Sequence, residues 1–284
     1  MDVSVIVPIY KGQKYIINLI DMVTNNAKFL KNKQLELIFV NDYPEEKIIL
    51  PQINDKTIDI RLIINRTNVG IQRARINGII AAKGEYLLLL DQDDFISEHY
   101  IHLQLASIFD CDAVVSNGFA EDISGNTKRL WSSVKTMNNV NKLDYYFYFG
   151  NVIASPGLCL IKKSAIPNEW INNTISINGA DDWLLWVLFL LNDGRFAINY
   201  KTLYTHRSNN NNTSNNEENM INSSVEACEL LEKLFSNNSK IKKLGSIYRR
   251  RLNMRKSISN GGLLNKIIQY VKNIDIALYV MKNR

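Results

Sequence analysis

Leu87-Leu88-Leu89-Leu90-Asp91-Gln92-Asp93-Asp94 sets four leucines directly against three carboxylates. An apolar run of this length that ends in acid reads as a buried strand of an α/β sheet. In open α/β sheets, ligands bind beyond the carboxyl ends of the strands. Three acids crowded there repel one another and are costly to bury. A divalent cation relieves that cost, and carboxylate oxygens suit Mg²⁺ or Mn²⁺. A bound cation would in turn hold a diphosphate. The plainer alternative is that Asp93 or Asp94 caps a helix beginning near Ser97.

Outward from this stretch, strand and helix signals alternate through the first 120 residues. Val3 to Ile9, Leu35 to Val40, Ile60 to Ile64, Tyr86 to Leu90 and Ala113 to Ser116 read as strands. Tyr15, Ile16, Leu19, Ile20 and Val23 recur at helical spacing, and Gly70 to Ala82 reads as a helix stopped by Lys83-Gly84. Strands separated by helices imply parallel βαβ units. Beyond residue 120 the pattern is irregular. Tyr145-Tyr146-Phe147-Tyr148-Phe149 reads as core, with an acceptor platform as the other reading. Trp183 to Leu191 reads as a buried helix. Asn209 to Asn219 lacks apolar residues and reads as a loop or as disordered; a loop there could close over a bound ligand and exclude water. From Val225 onward the chain reads as helical and basic.

The 284 residues suffice for one large domain with an appendage, and 46% apolar content is ordinary for a globular protein. Cys111, Cys159 and Cys228 are scattered and odd in number, which suits a reducing cytoplasm. A strand begins at Val3, so no secretion signal is expected, and no apolar run is long enough to span a bilayer. Residues 240–284 carry twelve Lys and Arg and one acid, Asp275. That is a net +11 out of a chain total of +6, which leaves about −5 on residues 1–239. Such asymmetry points to an anionic partner. Arg249-Arg250-Arg251 and Arg255-Lys256 precede Leu263-Leu264, Ile267-Ile268, Tyr270-Val271 and Ile274, a mixture that suits a helix on anionic lipid. A solvated helical cap is the alternative. No recognised module supports nucleic-acid binding.

Four segments together resemble the inverting family 2 glycosyltransferases. Val3 to Tyr10 is similar to the family's opening strand, and Glu36 to Asp42 to its second strand and nucleotide-binding acid. Asn68-Val69-Gly70, Ala74-Arg75 and Gly78 to Tyr86 lead into Asp91-Gln92-Asp93-Asp94, the family's DxD segment. Asp181-Asp182-Trp183-Leu184-Leu185-Trp186 resembles the segment that holds the family's catalytic base. The likeness runs from residue 3 to about 208. It implies an α/β GT-A fold with a Rossmann-like, mostly parallel sheet flanked by helices, plus a helical basic C-terminal extension. The expected division is a catalytic domain over 1–220 and the extension over 221–284. Within the former, a nucleotide-sugar half covers about 1–117 and an acceptor half about 118–220.

The resemblance also implies roles. Pro8, Tyr10, Asp42, Arg75, Asp91, Gln92 and Asp93 would contact a nucleotide-sugar donor. Asp42 would accept from the uracil N3–H, although Tyr43-Pro44 stands where the family often has a Gly-Ser pair. Asp91 would face the ribose or pyrophosphate, and Asp93 would ligate Mn²⁺ or Mg²⁺. Arg75 would lie near the nucleotide or merely on a helix surface. His206, in Tyr204-Thr205-His206, would complete the metal site as a neutral imidazole or touch the diphosphate. His99 and His102 read as helix-surface residues. Asp182 would be the base, beside an apolar wall begun by Trp183, with an acidic helix N-terminus as the alternative. The implied reaction moves a hexose from a UDP-sugar to a hydroxyl of a polyprenyl-diphosphate-linked sugar, with a β-linkage, in O-antigen or capsule synthesis. Its setting would be the cytoplasmic side of the membrane. A non-catalytic nucleotide-sugar binder and a metal-dependent nucleotidyltransferase are the alternatives; the latter lacks a glycine- and lysine-rich phosphate loop near the N-terminus.

Overall fold

The computed structural model describes residues 2–31, 33–52, 57–209, 215–259 and 262–283. The chain divides into two compact units, one of residues 1–132, 154–166 and 193–210, the other of residues 133–153, 167–192 and 211–284.

The first unit carries the sheet. Its strands are β1 (Val3–Ile9), β2 (Leu35–Asn41), β3 (Ile58–Ile64), β4 (Tyr86–Leu89), β5 (Phe95–Ile96), β6 (Ala113–Glu121), β7 (Thr127–Arg129), β8 (Cys159–Lys162) and β9 (Phe196–Arg207). The spatial order is β3-β2-β1-β4-β8-β6-β9-β5, with β7 paired to β6. β3, β2, β1 and β4 run parallel, in registers that set Val3 against Leu35 and Tyr86. Every residue of β1 is buried, as a β-branched run flanked by a strand on each side requires. Leu87 to Leu90 are buried too, and the Leu90 amide extends the ladder to the Ile6 carbonyl at 2.9 Å.

Helix α1 (Ile16–Ala27) buries Ile16, Leu19, Ile20 and Val23, the stripe its spacing announces. Helix α2 (Ile71–Ala81) starts after Gly70, whose φ of 85° favours glycine. It lies close on β1 at Gly78, where a Cβ would stand 2.3 Å from Ile6 Cγ2. Fully buried Glu36 joins β1, β2, β3 and the turn after α2. It accepts from Ser4 Oγ at 2.5 Å, from the Lys83 amide at 2.5 Å and from Arg61. Burial alone would push that carboxyl up. The Ser4, Lys83 and Arg61 contacts outweigh it and hold the group below its ordinary value.

Two expectations change here. The strand expected at Ala113 to Ser116 runs on to Glu121, because β7 returns as its hairpin partner. It does not sit beside β4: β8 is inserted antiparallel to both. Helix α3 is only Tyr100–Leu105 and follows His99 with no side-chain cap, so neither Asp93 nor Asp94 caps it.

The second unit is helical: α4 (Val134–Met137), α5 (Leu143–Phe149), α6 (Asn168–Asn172), α7 (Asp181–Leu191), α8 (Glu217–Leu234), α9 (Ser239–Ser259), α10 (Leu263–Lys272) and α11 (Ile274–Asn283). Its core holds Trp170, Trp183, Trp186, Tyr146 and Phe147, so the aromatic run in α5 is largely packing. The unit joins 133–153 and 167–192 to the C-terminal helices, whereas the expected division placed them on opposite sides of residue 220. The physical link is stacking of Trp183 on Tyr248. Part of the loop expected at Asn209 to Asn219, residues 210–214, lies outside the described residues. Its end is helical instead: Asn216 caps α8 by accepting from the Asn219 amide at 3.0 Å, and the helix starts at Glu217 rather than near Val225. No helix among the described residues is long and apolar enough to cross a membrane.

Candidate active site

Three carboxylates gather where the chain leaves β4, and each has a different partner. Asp91 Oδ1 accepts from Arg75 Nη2 at 2.5 Å, and its Oδ2 from Ser155 Oγ at 3.3 Å. Arg75 is buried, so it is no helix-surface arginine. Its guanidinium compensates the Asp91 charge. Asp94 is also buried. It accepts from Tyr204 Oη, from the Arg207 amide at 3.0 Å and from His206 Nδ1 at 3.0 Å. Burial pushes the Asp94 carboxyl up. The hydrogen bond to Asp94 pushes the His206 imidazole up to about 9 against its own burial. Asp94 therefore favours the cationic form of the imidazole over the neutral one.

Among the described residues Asp93 has no such ion pair of its own. Its partner is the Asn209 amide, Nδ2 to Oδ2 at 2.5 Å. Burial, then the charges of Asp94 and Asp91, pushes its carboxyl up to about 6. Three carboxylates thus face two cations, Arg75 and His206, and the cluster is left with an excess of negative charge. Among the described residues, no three His, Cys, Asp or Glu converge on one metal-sized point. This donor set fits a hard divalent cation held by one carboxylate and completed by oxygens of a substrate, rather than an all-protein cage. A cavity of about 870 Å³ opens beside Asp93, Asp94, Asn209, Arg207 and Phe95, a size that suits a small-molecule ligand. Asp42, Arg75 and Asp91 do not line it.

Gln92 is committed to the fold. Its side-chain Oε1 accepts from the Tyr10 amide at 3.0 Å and its Nε2 donates to the Tyr10 carbonyl at 3.1 Å. The acid loop is thereby fastened to the end of β1. Pro8 is buried in β1 opposite Val40, while the Tyr10 ring is 45% exposed. Tyr43 stands edge-on to Tyr10 with centroids 5.1 Å apart, and Lys11 Nζ lies 5.0 Å from the Tyr43 ring. Asp42 is largely occupied by its own chain. Its Oδ1 accepts from Asn65 Nδ2 at 2.8 Å and the Val69 amide at 2.9 Å, and its Oδ2 from the Gly70 amide at 3.0 Å. Of roughly four acceptor positions on a carboxylate, about one is left for a ligand.

In the second unit, Asp181 and Asp182 occupy the first turn of α7, where the helix dipole favours negative charge. Asp182 Oδ2 accepts from Asn151 Nδ2 at 2.6 Å, and its Oδ1 from the Trp183 amide at 2.7 Å. The expected apolar wall is present. Trp183 is buried, donates from Nε1 to the Tyr146 carbonyl at 2.9 Å and stacks on Tyr248. Asn151 follows Gly150, whose φ is 84°, and the preceding Phe149 carbonyl accepts from Arg251 Nη2 at 2.5 Å. Nothing in the sequence marks Asn151 or Asn209 as partners of acids. Asn209 is one of a run of asparagines, Asn151 follows an aromatic stretch, and their contacts span more than 30 residues. His99 packs edge-on against Phe29, and His102 is exposed, as expected of helix-surface residues.

Residues 4–168 match the model of the family "Glycosyl transferase family 2", so the chain belongs to that family. An uncharacterized glycosyltransferase of Haemophilus influenzae is 29% identical over 147 residues, which cover 50% of this chain and 55% of that protein. The minor teichoic acid biosynthesis protein GgaB of Bacillus subtilis is 34% identical over 99 residues, 34% of this chain and 11% of that protein. The chain thus spans about half or less of these curated relatives. In fold, it is similar to residues 1–349 of S. aureus TarS in complex with UDP-GlcNAc, with a TM-score of 0.63 and 17% identity. That alignment covers 97% of this chain and 81% of the other. Asp181 to Trp186 lie beyond the residues the family model matches.

Proposed function

We propose that this chain is a metal-dependent, inverting glycosyltransferase. It moves a hexose from a UDP-sugar to a hydroxyl of a polyprenyl-diphosphate-linked sugar and forms a β-linkage. The setting is O-antigen or capsular polysaccharide synthesis at the inner face of the cell membrane. The observation that carries this reading is the divided acid cluster after β4. Asp91 pairs with Arg75 and Asp94 with His206, while Asp93 has no ion pair of its own among the described residues. A nucleoside-diphosphate donor with a divalent cation would supply the missing charge. The UDP-GlcNAc of the TarS structure and the teichoic acid biosynthesis named for GgaB support a UDP-sugar donor and a surface-polymer product.

Asp93 would hold Mn²⁺ or Mg²⁺, which when bound neutralises charge on the departing diphosphate. Nε2 of cationic His206 would face an anionic diphosphate oxygen, a role that suits its charge better than metal ligation. Arg75 and Asp91 would face the ribose and pyrophosphate, and the remaining acceptor position of Asp42 and the Tyr10 ring would face the base. Asp182, aimed by Asn151, would accept the proton of the attacking hydroxyl. Inversion follows from a single displacement on the face opposite the diphosphate.

The test is UDP release from a panel of UDP-sugars with Mn²⁺ or EDTA, using a GlcNAc-diphosphate-lipid analogue as acceptor. Metal-dependent release from one donor, lost in Asp93→Ala and Asp182→Ala, is expected. UDP binding without turnover for any donor or acceptor would favour a non-catalytic binder, and pyrophosphate release a nucleotidyltransferase. Release that survives both substitutions would sink the site assignment.

A further inference from the structure

Helix α10 packs inward through polar side chains. Asn265 Nδ2 donates to the Ser257 carbonyl at 2.6 Å, Gln269 Nε2 to Ser257 Oγ at 3.0 Å, and Asn273 is buried. Farther along, Ile276 is buried. Tyr279 stacks on Tyr148 at 3.8 Å and donates to Asp144 Oδ2 at 2.7 Å. The outward side is apolar: Ile267, Tyr270, Val271, Ile274, Leu278 and Met281 are all exposed, Val271 to 67% and Met281 to 75%. Their spacing of three and four residues holds on either side of the break at Asn273, so each helix presents an apolar stripe on its exposed side. An exposed apolar stripe in water marks a contact surface.

The charges beside these stripes identify the partner. Lys266 and Lys282 fall on their edges at helical spacing, and both are free of acid partners among the described contacts. The acid within 263–283, Asp275, is already paired with Arg250. A second copy of this chain seated on the stripe would bring lysine against lysine with no acid to meet them. An apolar stripe edged by lysines instead fits a helix pair lying in the interface of an anionic bilayer, its lysine stems snorkelling to the headgroups.

We propose that the outward face of α10 and α11 is a docking surface for anionic phospholipid. The proposal deepens the reading of a membrane-borne acceptor and rests on it only for the setting. It also splits the basic tail in two: α9 contributes to the core through Tyr248, and 263–283 carries the lipid surface.

The test is co-sedimentation of the full chain with vesicles of phosphatidylcholine alone and of phosphatidylcholine with roughly one third phosphatidylglycerol. Binding to the anionic vesicles is expected to exceed that to neutral ones about tenfold and to weaken with salt. Ile274→Asp with Leu278→Asp should cut it at least about tenfold, since two exposed apolar side chains of the docking face are replaced by anions. Lys266→Gln with Lys282→Gln should remove most of the salt dependence. UDP release with a soluble acceptor and the melting temperature should be unchanged in both variants, so the surface and the reaction are read separately. Absence of binding to anionic vesicles, or binding equal in wild type and the double aspartate variant, would overturn the proposal. So would a wild-type dimer that the aspartate variant dissolves, which would assign the stripe to self-association.

Discussion

The indole of Trp183 and the phenol ring of Tyr248 lie face to face, with centroids 4.4 Å apart and planes 3° from parallel. The contact joins the residue after Asp182 to α9, far along the basic tail. Both rings are buried, and Phe147 meets each edge-on. Tyr248→Ala should therefore cost about 3–5 kcal/mol in denaturant unfolding, the range for emptying an aromatic site in a core. Tyr248→Phe, which keeps the stack, should cost about 1 kcal/mol or less. Equal and small losses in both variants would show that the stack does not hold the unit together.

Asn151 offers a cleaner probe of the proposed base. Its amide donates to Asp182 Oδ2 at 2.6 Å and fixes the carboxylate without being able to take a proton. Asp182→Asn should lower kcat by about 10²–10⁴, the usual weight of a general base. Asn151→Ala should lower kcat by about tenfold with donor KM unchanged, because the base remains but is less well aimed. A rise in donor KM with kcat unchanged would instead place Asn151 in donor binding.

The parallel half of the sheet and the acid cluster were legible because their signals are local. Val3 to Ile9 and Leu87 to Leu90 are unbroken apolar runs, and a strand buried on both faces needs nothing else. β8 and the hairpin of β6 with β7 were not legible: β8 is four residues long, and its partners are strands distant in sequence. Within the site, the acids announced themselves but their partners did not. Whether Gln92 faces a ligand or the backbone of Tyr10 is a matter of packing across 82 residues. Likewise the helical spacing that suggested a lipid-facing tail also suits a cap, and only burial separates Tyr248 from Val271.

The His206–Asp94 pair makes stability depend on pH in a defined window. The folded-state value of His206, about 9, lies above its ordinary 6.5. Its contribution is therefore fully present below about 6.5 and lost as pH rises through about 9. Wild-type unfolding free energy should fall by about 1–3 kcal/mol between pH 6.5 and 9. His206→Asn, which keeps a donor for Asp94 without the charge, should flatten that fall. A slope unchanged by the substitution would locate the titrating group elsewhere.

Asp93 also lowers stability as pH rises, but as a liability of the folded chain, and it bears on the cation. Its folded-state value, about 6, lies above the ordinary 3.8, so its charged form is a liability of the folded chain. That liability is absent below about pH 4, grows between 4 and 6, and is complete above 6. In EDTA, Asp93→Asn should thus match wild type at pH 4 and exceed it by about 1–2 kcal/mol at pH 7.5, after allowance for the partial exposure of the carboxylate. Adding Mn²⁺ with UDP should reverse the ranking. A cation that binds the folded wild type at a hundred times its Kd contributes about 2.7 kcal/mol, and Asp93→Asn has no carboxylate to receive it. Thermal unfolding of both proteins, with EDTA and with Mn²⁺ plus UDP, measures both effects. An asparagine variant less stable than wild type in EDTA at pH 7.5 would mean that Asp93 is compensated by the fold itself, and the argument for a cation at this position would fail.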